Sequence, residues 1–182
     1  KFLLEQLEGY NEEFSAAQDN NLLLTSSNMA RISNLPDMLL LYRKHEESIS
    51  QTKHQKQHKI NHQIRQEAIT KLTCITPGED EIRTIDNLYS QNNETVFNTL
   101  KLLLKMYKSF CKTNRLTKKE RTKIRQDAGM KIYKITNVNR RYQQIWPFFL
   151  CAIRLKPGIL LLGGKAIFRR IKKLLKIKLK GA

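Results

Sequence analysis

Three histidines recur every four residues, His54, His58 and His62. On a helix that spacing brings the imidazoles to one face, the arrangement of a transition-metal chelate. Gln and Lys separate them and no carboxylate stands alongside, so a solvated helical face is the simpler reading. Cys74, Cys111 and Cys151 are too few and too scattered for a disulfide framework, and no Cys-x-x-Cys or Cys/His cluster occurs. A structural-zinc fold is thereby excluded and a reducing compartment is expected. Asp19 and Asn20 precede Leu22, Leu23 and Leu24, where a side-chain oxygen would cap a short helix. From Cys151 onward there are ten Lys and Arg residues and no acid, a composition suited to holding phosphate groups.

The charge behind that last feature is unevenly distributed. The chain of 182 residues carries a formal net charge of +18. Residues 1–100 hold 10 basic and 14 acidic side chains, whereas residues 101–182 hold 24 basic and 2 acidic. A mildly acidic front half is thus joined to a strongly basic back half, and a polyanionic partner for the latter is the expectation. Hydrophobic residues at 40% and aromatics at 8% suffice for a core, so wholesale disorder is excluded. No charged-then-apolar leader is visible, and Lys1-Phe-Leu-Leu reads as a chain entered midway.

The elements that must position these groups follow from periodicity. Gly9 signals a turn, and a short helix is expected from Gln18 to about Asn28. Arg31–Leu35 and Met38–Arg43, on either side of Pro36, read as short extended segments, the second apolar enough for a buried strand. Ile60, Ile64, Ala68, Ile69 and Leu72 recur at helical spacing within residues 51–73. Thr76-Pro-Gly-Glu-Asp-Glu is a loop opening another helix, with Thr76 or Asp80 near its cap. Val96, Phe97, Leu100, Leu103, Leu104, Tyr107 and Phe110 line one side of a helix over 95–113. Thr117 and Glu120 stand in capping-box spacing at the start of the next. Two further helices are expected, broken near Pro157-Gly158 and Gly163-Gly164.

An ordered string of short motifs carries a resemblance. Leu7-Glu-Gly-Tyr-Asn-Glu-Glu precedes Gln18-Asp-Asn-Asn-Leu, which is followed by Asn34-Leu-Pro-Asp-Met-Leu-Leu-Leu-Tyr-Arg-Lys-His and then Ser48-Ile-Ser. Over roughly residues 5–50 this resembles the family 2 glycosyltransferases. Gly9, Tyr10, Glu12, Asp19, Leu22, Asn34, Leu35, Pro36, Leu39, Leu40, Tyr42, Arg43, His45, Ser48 and Ser50 fall in register with that family's Gly-Gly-Tyr-Asp-Glu, Glu-Asp-Tyr-Asp-Leu-Trp, Asn-Leu-Pro-Glu-Val-Leu-Leu-x-Tyr-Arg-x-His and Ser-x-Ser.

The resemblance implies a GT-A fold, of which this chain matches the acceptor half. The family's Asp-x-Asp, which holds Mg or Mn on the donor diphosphate, occurs nowhere in these residues. A C-terminal fragment, inactive alone, is the expectation. The fold expected is mostly α with a short β remnant, in three parts: residues 1–50 as the end of the GT-A catalytic domain, 51–135 as a helical extension, 136–182 as a basic membrane-associating tail.

In the family, the position of Asp19 belongs to the carboxylate that takes a proton from the acceptor hydroxyl. Two roles are therefore open to Asp19, general base and helix cap. Gln18 replaces the usual Glu and keeps a hydrogen bond to a sugar hydroxyl while losing the charge. Asn21 and Thr25 replace a common Asp and Arg. His45 corresponds to a region where a His approaches the metal or the diphosphate, the alternative being a solvent-facing imidazole. Arg43 would clamp the diphosphate with its planar guanidinium, or pair with Glu46 or Glu47.

On a helix, Ile167, Phe168, Ile171, Leu174 and Leu175 share one face and Lys165, Arg169, Lys172, Lys173, Lys176 and Lys180 the other. That pattern suits a helix lying on an anionic membrane surface. Ile145–Ile153 is apolar but too short to span a bilayer, which takes about 20 residues. The alternatives are packing of the apolar face on the parent domain with the lysines solvated, and nucleic acid, the less suited because after Phe168 no aromatic, Asn or Gln occurs to stack or read bases. The expected function is sugar transfer from a nucleotide donor to a surface glycan or lipid-linked acceptor, at the cytoplasmic face of the membrane. The competing class is a non-catalytic basic helical protein in a ribonucleoprotein assembly.

Overall fold

The computed structural model describes residues 2–13, 17–27, 29–33, 35–40 and 54–162. Among these residues there are eight α-helices and no strand. The chain divides into two compact units, Lys1–Thr76 and Pro77–Ala182.

The first unit opens with α1 (Phe2–Gln6), which ends in a turn made by Glu8 and Gly9 at φ 57° and 81°. Glycine carries the larger positive φ at no steric cost. Helix α2 (Gln18–Ser27) packs on α3 (His54–Thr73). Buried Ala17 and Ile64, with Ile60 beside them, form the contact. The Asn20 amide donates to Asn61 Oδ1 across it at 2.7 Å. The apolar spacing expected of α3 is realised, with Ile64 and Ile69 buried and Ile60, Ala68 and Leu72 half-buried.

The expected buried strand is not formed over its described part. Met38, Leu39 and Leu40 take no regular secondary structure and are 98%, 72% and 82% exposed. A strand needs a neighbour to take its backbone N–H and C=O groups, and the described residues contain no second strand to pair with it. Residues 31–33 and Leu35 are likewise exposed and unpaired in any sheet. Tyr42 and Arg43 lie outside the described residues.

The second unit is an all-α stack of sequence neighbours: α4 (Glu79–Asn87), α5 (Asn93–Thr113), α6 (Lys118–Val138), a 3₁₀ turn at Gln143–Ile145, α7 (Trp146–Leu155) and α8 (Ile159–Leu162). Local sequence sets its boundaries. The Glu81 carboxylate accepts the Gly78 N–H at 2.8 Å, so Gly78, rather than Thr76 or Asp80, caps α4. Asn92 Oδ1 accepts the Glu94 N–H at 2.9 Å and starts α5. Thr117 and Glu120 form the expected reciprocal box, Glu120 accepting the Thr117 N–H at 2.8 Å and donating its own N–H to Thr117 Oγ1 at 3.3 Å. Pro147 sits in the first turn of α7, where its missing N–H leaves no bond unmade.

Val96, Leu100, Ile132, Ile135, Ile145, Phe148, Phe149, Ala152 and Ile159 make the core. Phe148 meets Phe97 edge-on at 5.5 Å between centroids, and Trp146 meets Phe149 at 5.8 Å. Gly129 lets α6 and α7 touch. A Cβ there would stand 2.9 Å from Leu155 Cβ and 3.1 Å from the Ala152 carbonyl oxygen. Gly129→Ala improves helix propensity by about 1 kcal/mol, yet overpacking against backbone costs about 1–3 kcal/mol. The steric cost prevails, and thermal unfolding followed by circular dichroism should show a lower midpoint. An unchanged or raised midpoint would mean that α7 can move aside freely.

Candidate functional site

The site is built around the entry to α2. Ala17 is buried and holds φ 58°, a left-handed conformation that costs a non-glycine residue roughly 1–2 kcal/mol. Its carbonyl accepts the Asn21 N–H at 3.2 Å and so begins the helix. Ala17 therefore occupies the place just before the first helical residue, and the expectation that Asp19 or Asn20 caps α2 is corrected. The left-handed turn at Ala17 starts the helix before either carboxylate or amide reaches the capping position.

Gln18 and Asp19 follow that turn directly. Gln18 is half-buried and Asp19 is exposed in the first helical turn. No hydrogen bond or ion pair engages the Asp19 carboxylate among the described residues. The helix dipole favours a negative charge at this end by about 0.3–1 kcal/mol, which stabilises the carboxylate without consuming its oxygens. Asn20, one residue on, is tied to α3 through Asn61, so the turn that presents Asp19 is anchored from both sides by packing and by a hydrogen bond.

The residues that depart from the family pattern have definite places. Asn21 is half-buried, and the Thr25 hydroxyl donates to the Asn21 carbonyl oxygen at 2.9 Å. Thr25 is thus turned onto its own helix. Arg43 and His45 lie outside the described residues. Asn61, which fixes the turn from α3, was not singled out by its pattern; an amide between Ile60 and His62 in a polar stretch has no spacing to mark it.

The histidine row is described in part, the His54 side chain lying outside the described residues. Among the described residues no three of His, Cys, Asp and Glu gather to hold an ion. His58 is exposed, but His62 is half-buried and its Nε2 has no hydrogen-bond partner, so the row is not a uniformly solvated face.

The second unit presents basic surface and a tyrosine–arginine latch. An open groove of about 700 Å³ runs along α6, lined by Lys118, Lys119, Thr122, Lys123 and Gln126. Arg141 stacks on Tyr89 and Tyr142 at 5.5 and 4.7 Å from the ring centroids and donates to both hydroxyls. The Tyr142 hydroxyl donates in turn to the Gln91 carbonyl oxygen. The Arg141 guanidinium is held above its ordinary range chiefly by the hydrogen bond to Tyr142. Burial pushes the Tyr107 phenol up, with neighbouring Cys111 adding to it and Arg125 and Arg121 opposing.

No family model, curated protein or solved structure matches the chain.

Proposed function

We propose that this chain is the acceptor-side and C-terminal portion of a family 2-like glycosyltransferase, with Asp19 as the general base. The observation that carries the reading is the state of Asp19. Its carboxylate is exposed and unbonded among the described residues, directly after a strained turn at Ala17. Strained backbone of this kind collects at sites where a side chain must be held in one place.

Transfer with inversion then runs as one displacement. The Asp19 carboxylate takes the proton of an acceptor hydroxyl as that oxygen attacks the anomeric carbon. The bond from the anomeric carbon to the nucleoside diphosphate breaks, and the diphosphate departs with the bonding pair. Gln18, beside Asp19, hydrogen-bonds a sugar hydroxyl, and Arg43 and His45 meet the diphosphate. A divalent metal, Mg or Mn, belongs to the intact enzyme in this reading. Among the described residues no three of His, Cys, Asp and Glu gather to hold one.

The exposed apolar row Leu35, Met38, Leu39 and Leu40 supports the same reading. Such a row is suited to cover by a neighbouring domain, and the donor-binding half of a GT-A domain would supply one. The acceptor is a surface glycan or lipid-linked sugar, and the basic residues of 165–182, outside the described residues, hold the enzyme to the cytoplasmic face of the membrane. No helix among the described residues is long and apolar enough to cross a membrane.

Two measurements test this. The 182-residue chain alone should show no heat of binding to UDP- or GDP-sugars with Mn²⁺, since the donor half lies elsewhere. The full-length enzyme, given a panel of nucleotide sugars and the cell's own lipid fraction, should release nucleoside diphosphate. Absence of release with every donor, or micromolar donor binding by the chain alone, would sink the proposal.

A further inference from the structure

The hairpin α5–α6 is strongly basic. Residues 101–138 carry twelve basic and two acidic side chains. Asp127 pairs with Lys123 of its own helix at 3.2 Å. On α5, Lys101, Lys105, Lys108 and Lys112 are all exposed and recur at spacings of four, three and four. At 3.6 residues per turn they fall within an arc of roughly 60°, and at 1.5 Å per residue they form a row about 16 Å long. The row lies on the side of α5 away from Val96, Thr99 and Leu100, which are fully buried. Glu94, in the first turn, bounds it at its N-terminal end.

We infer that this lysine row is a docking surface for an anionic lipid bilayer. It stands on the hairpin's own charges and holds whether or not the chain transfers sugar. The match is one of charge and shape. A bilayer offers a plane of negative charge that a straight row on the convex back of a helix meets along its whole length, and each lysine stem can lie along the interface with its ammonium among headgroups. A nucleic acid asks for more than charge. The row has no arginine fork to grip phosphate or guanine. Its one adjoining aromatic, Phe97, is covered by the Lys101 ammonium at 4.4 Å and engaged edge-on with Phe148, so its face is not offered to a base.

The test uses the whole chain and two vesicle compositions, pure phosphatidylcholine and phosphatidylcholine with about one third phosphatidylglycerol. The variant Lys101→Gln/Lys105→Gln/Lys108→Gln/Lys112→Gln removes the row. Each lysine near an anionic surface is worth about 1 kcal/mol, so removing four should lower the partition coefficient onto the anionic vesicles on the order of 1000-fold at low salt, with the neutral vesicles unaffected. The fall should persist in a background carrying Lys172→Gln, Lys173→Gln and Lys176→Gln, which separates the row from the C-terminal segment. The corresponding fourfold Lys→Arg variant should bind like the native chain, which separates lost charge from lost fold. Equal binding by the Gln variant and the native chain in both backgrounds overturns the inference. So does a Gln variant that loses retention of RNA on filters while keeping its vesicle binding. Nucleoside diphosphate release by the full enzyme in detergent reports on the glycosyltransferase reading separately.

Discussion

Asp19→Asn should lower sugar transfer by the full-length enzyme by about 10²–10⁴-fold, the usual worth of a positioned general base. The substitution is close to isosteric, and its structural cost is small for a reason visible at the start of α2. The first helical bond is accepted by the Ala17 carbonyl oxygen, and the Asp19 oxygens make none among the described residues. What the helix loses is the favourable meeting of a carboxylate with its N-terminal dipole, about 0.3–1 kcal/mol. Donor affinity should stay nearly constant, since the proposed function gives the diphosphate to other residues. Initial rates of transfer, set beside thermal midpoints of the two proteins, separate chemistry from folding. A rate above half the native one would remove Asp19 from the role of base.

Asn139→Leu should cost the second unit about 2–4 kcal/mol, the largest effect expected of one change in its interior. Asn139 is fully buried and links two distant parts of the chain. Its amide donates to the carbonyl oxygens of Leu88 at 2.7 Å and Ile135 at 2.9 Å, while its Oδ1 accepts the Ser90 N–H at 3.2 Å. Leucine has nearly the same volume but strands the Ser90 N–H and the Leu88 carbonyl, each left without its partner at about 1–3 kcal/mol. Leu88 also sits at φ 65°, a left-handed conformation that the Asn139 bonds help to fix. For a unit of this size a midpoint shift of roughly 4–8 °C per kcal/mol follows. Thermal unfolding should therefore begin well over 10 °C earlier. A shift within about 3 °C would mean that water replaces the amide without loss.

How much of this could be read from residues alone depended on the range of the forces involved. Helices α3, α5 and α6 were legible because their determinants are local. The periodic Ile60, Ile64 and Ile69 mark one, and the Thr117–Glu120 pair marks the start of another. The cap of α4 was misplaced by a residue or two because Gly78 offers no side chain to recognise. The start of α2 was misread because alanine avoids positive φ, so nothing in the sequence marks Ala17 as the turn. The apolar run Met38–Leu40 looked like a buried strand, and it is exposed and outside any strand; pairing and burial require a partner strand that local composition cannot supply. Asn139 is a tertiary feature of the same kind, its bonds to Leu88 and Ser90 spanning some fifty positions. At the site, Asp19 and Gln18 came from resemblance and stand together at the head of α2. Arg43 and His45 lie outside the described residues, and Asn61 emerged only from packing.

The order of packing in the second unit also bears on how the protein is made. Each of its helices packs mainly on the next in sequence, α4 on α5, α5 on α6, α6 on α7 and α7 on α8. Contacts between near neighbours in sequence close short loops, and chains built from them fold fast, often within milliseconds. As synthesis proceeds from the N-terminus, each helix of this unit finds its partner within a few seconds of leaving the ribosome, at about 5–20 residues per second. Protection of nascent chains from proteases should accordingly extend helix by helix through this unit as it emerges.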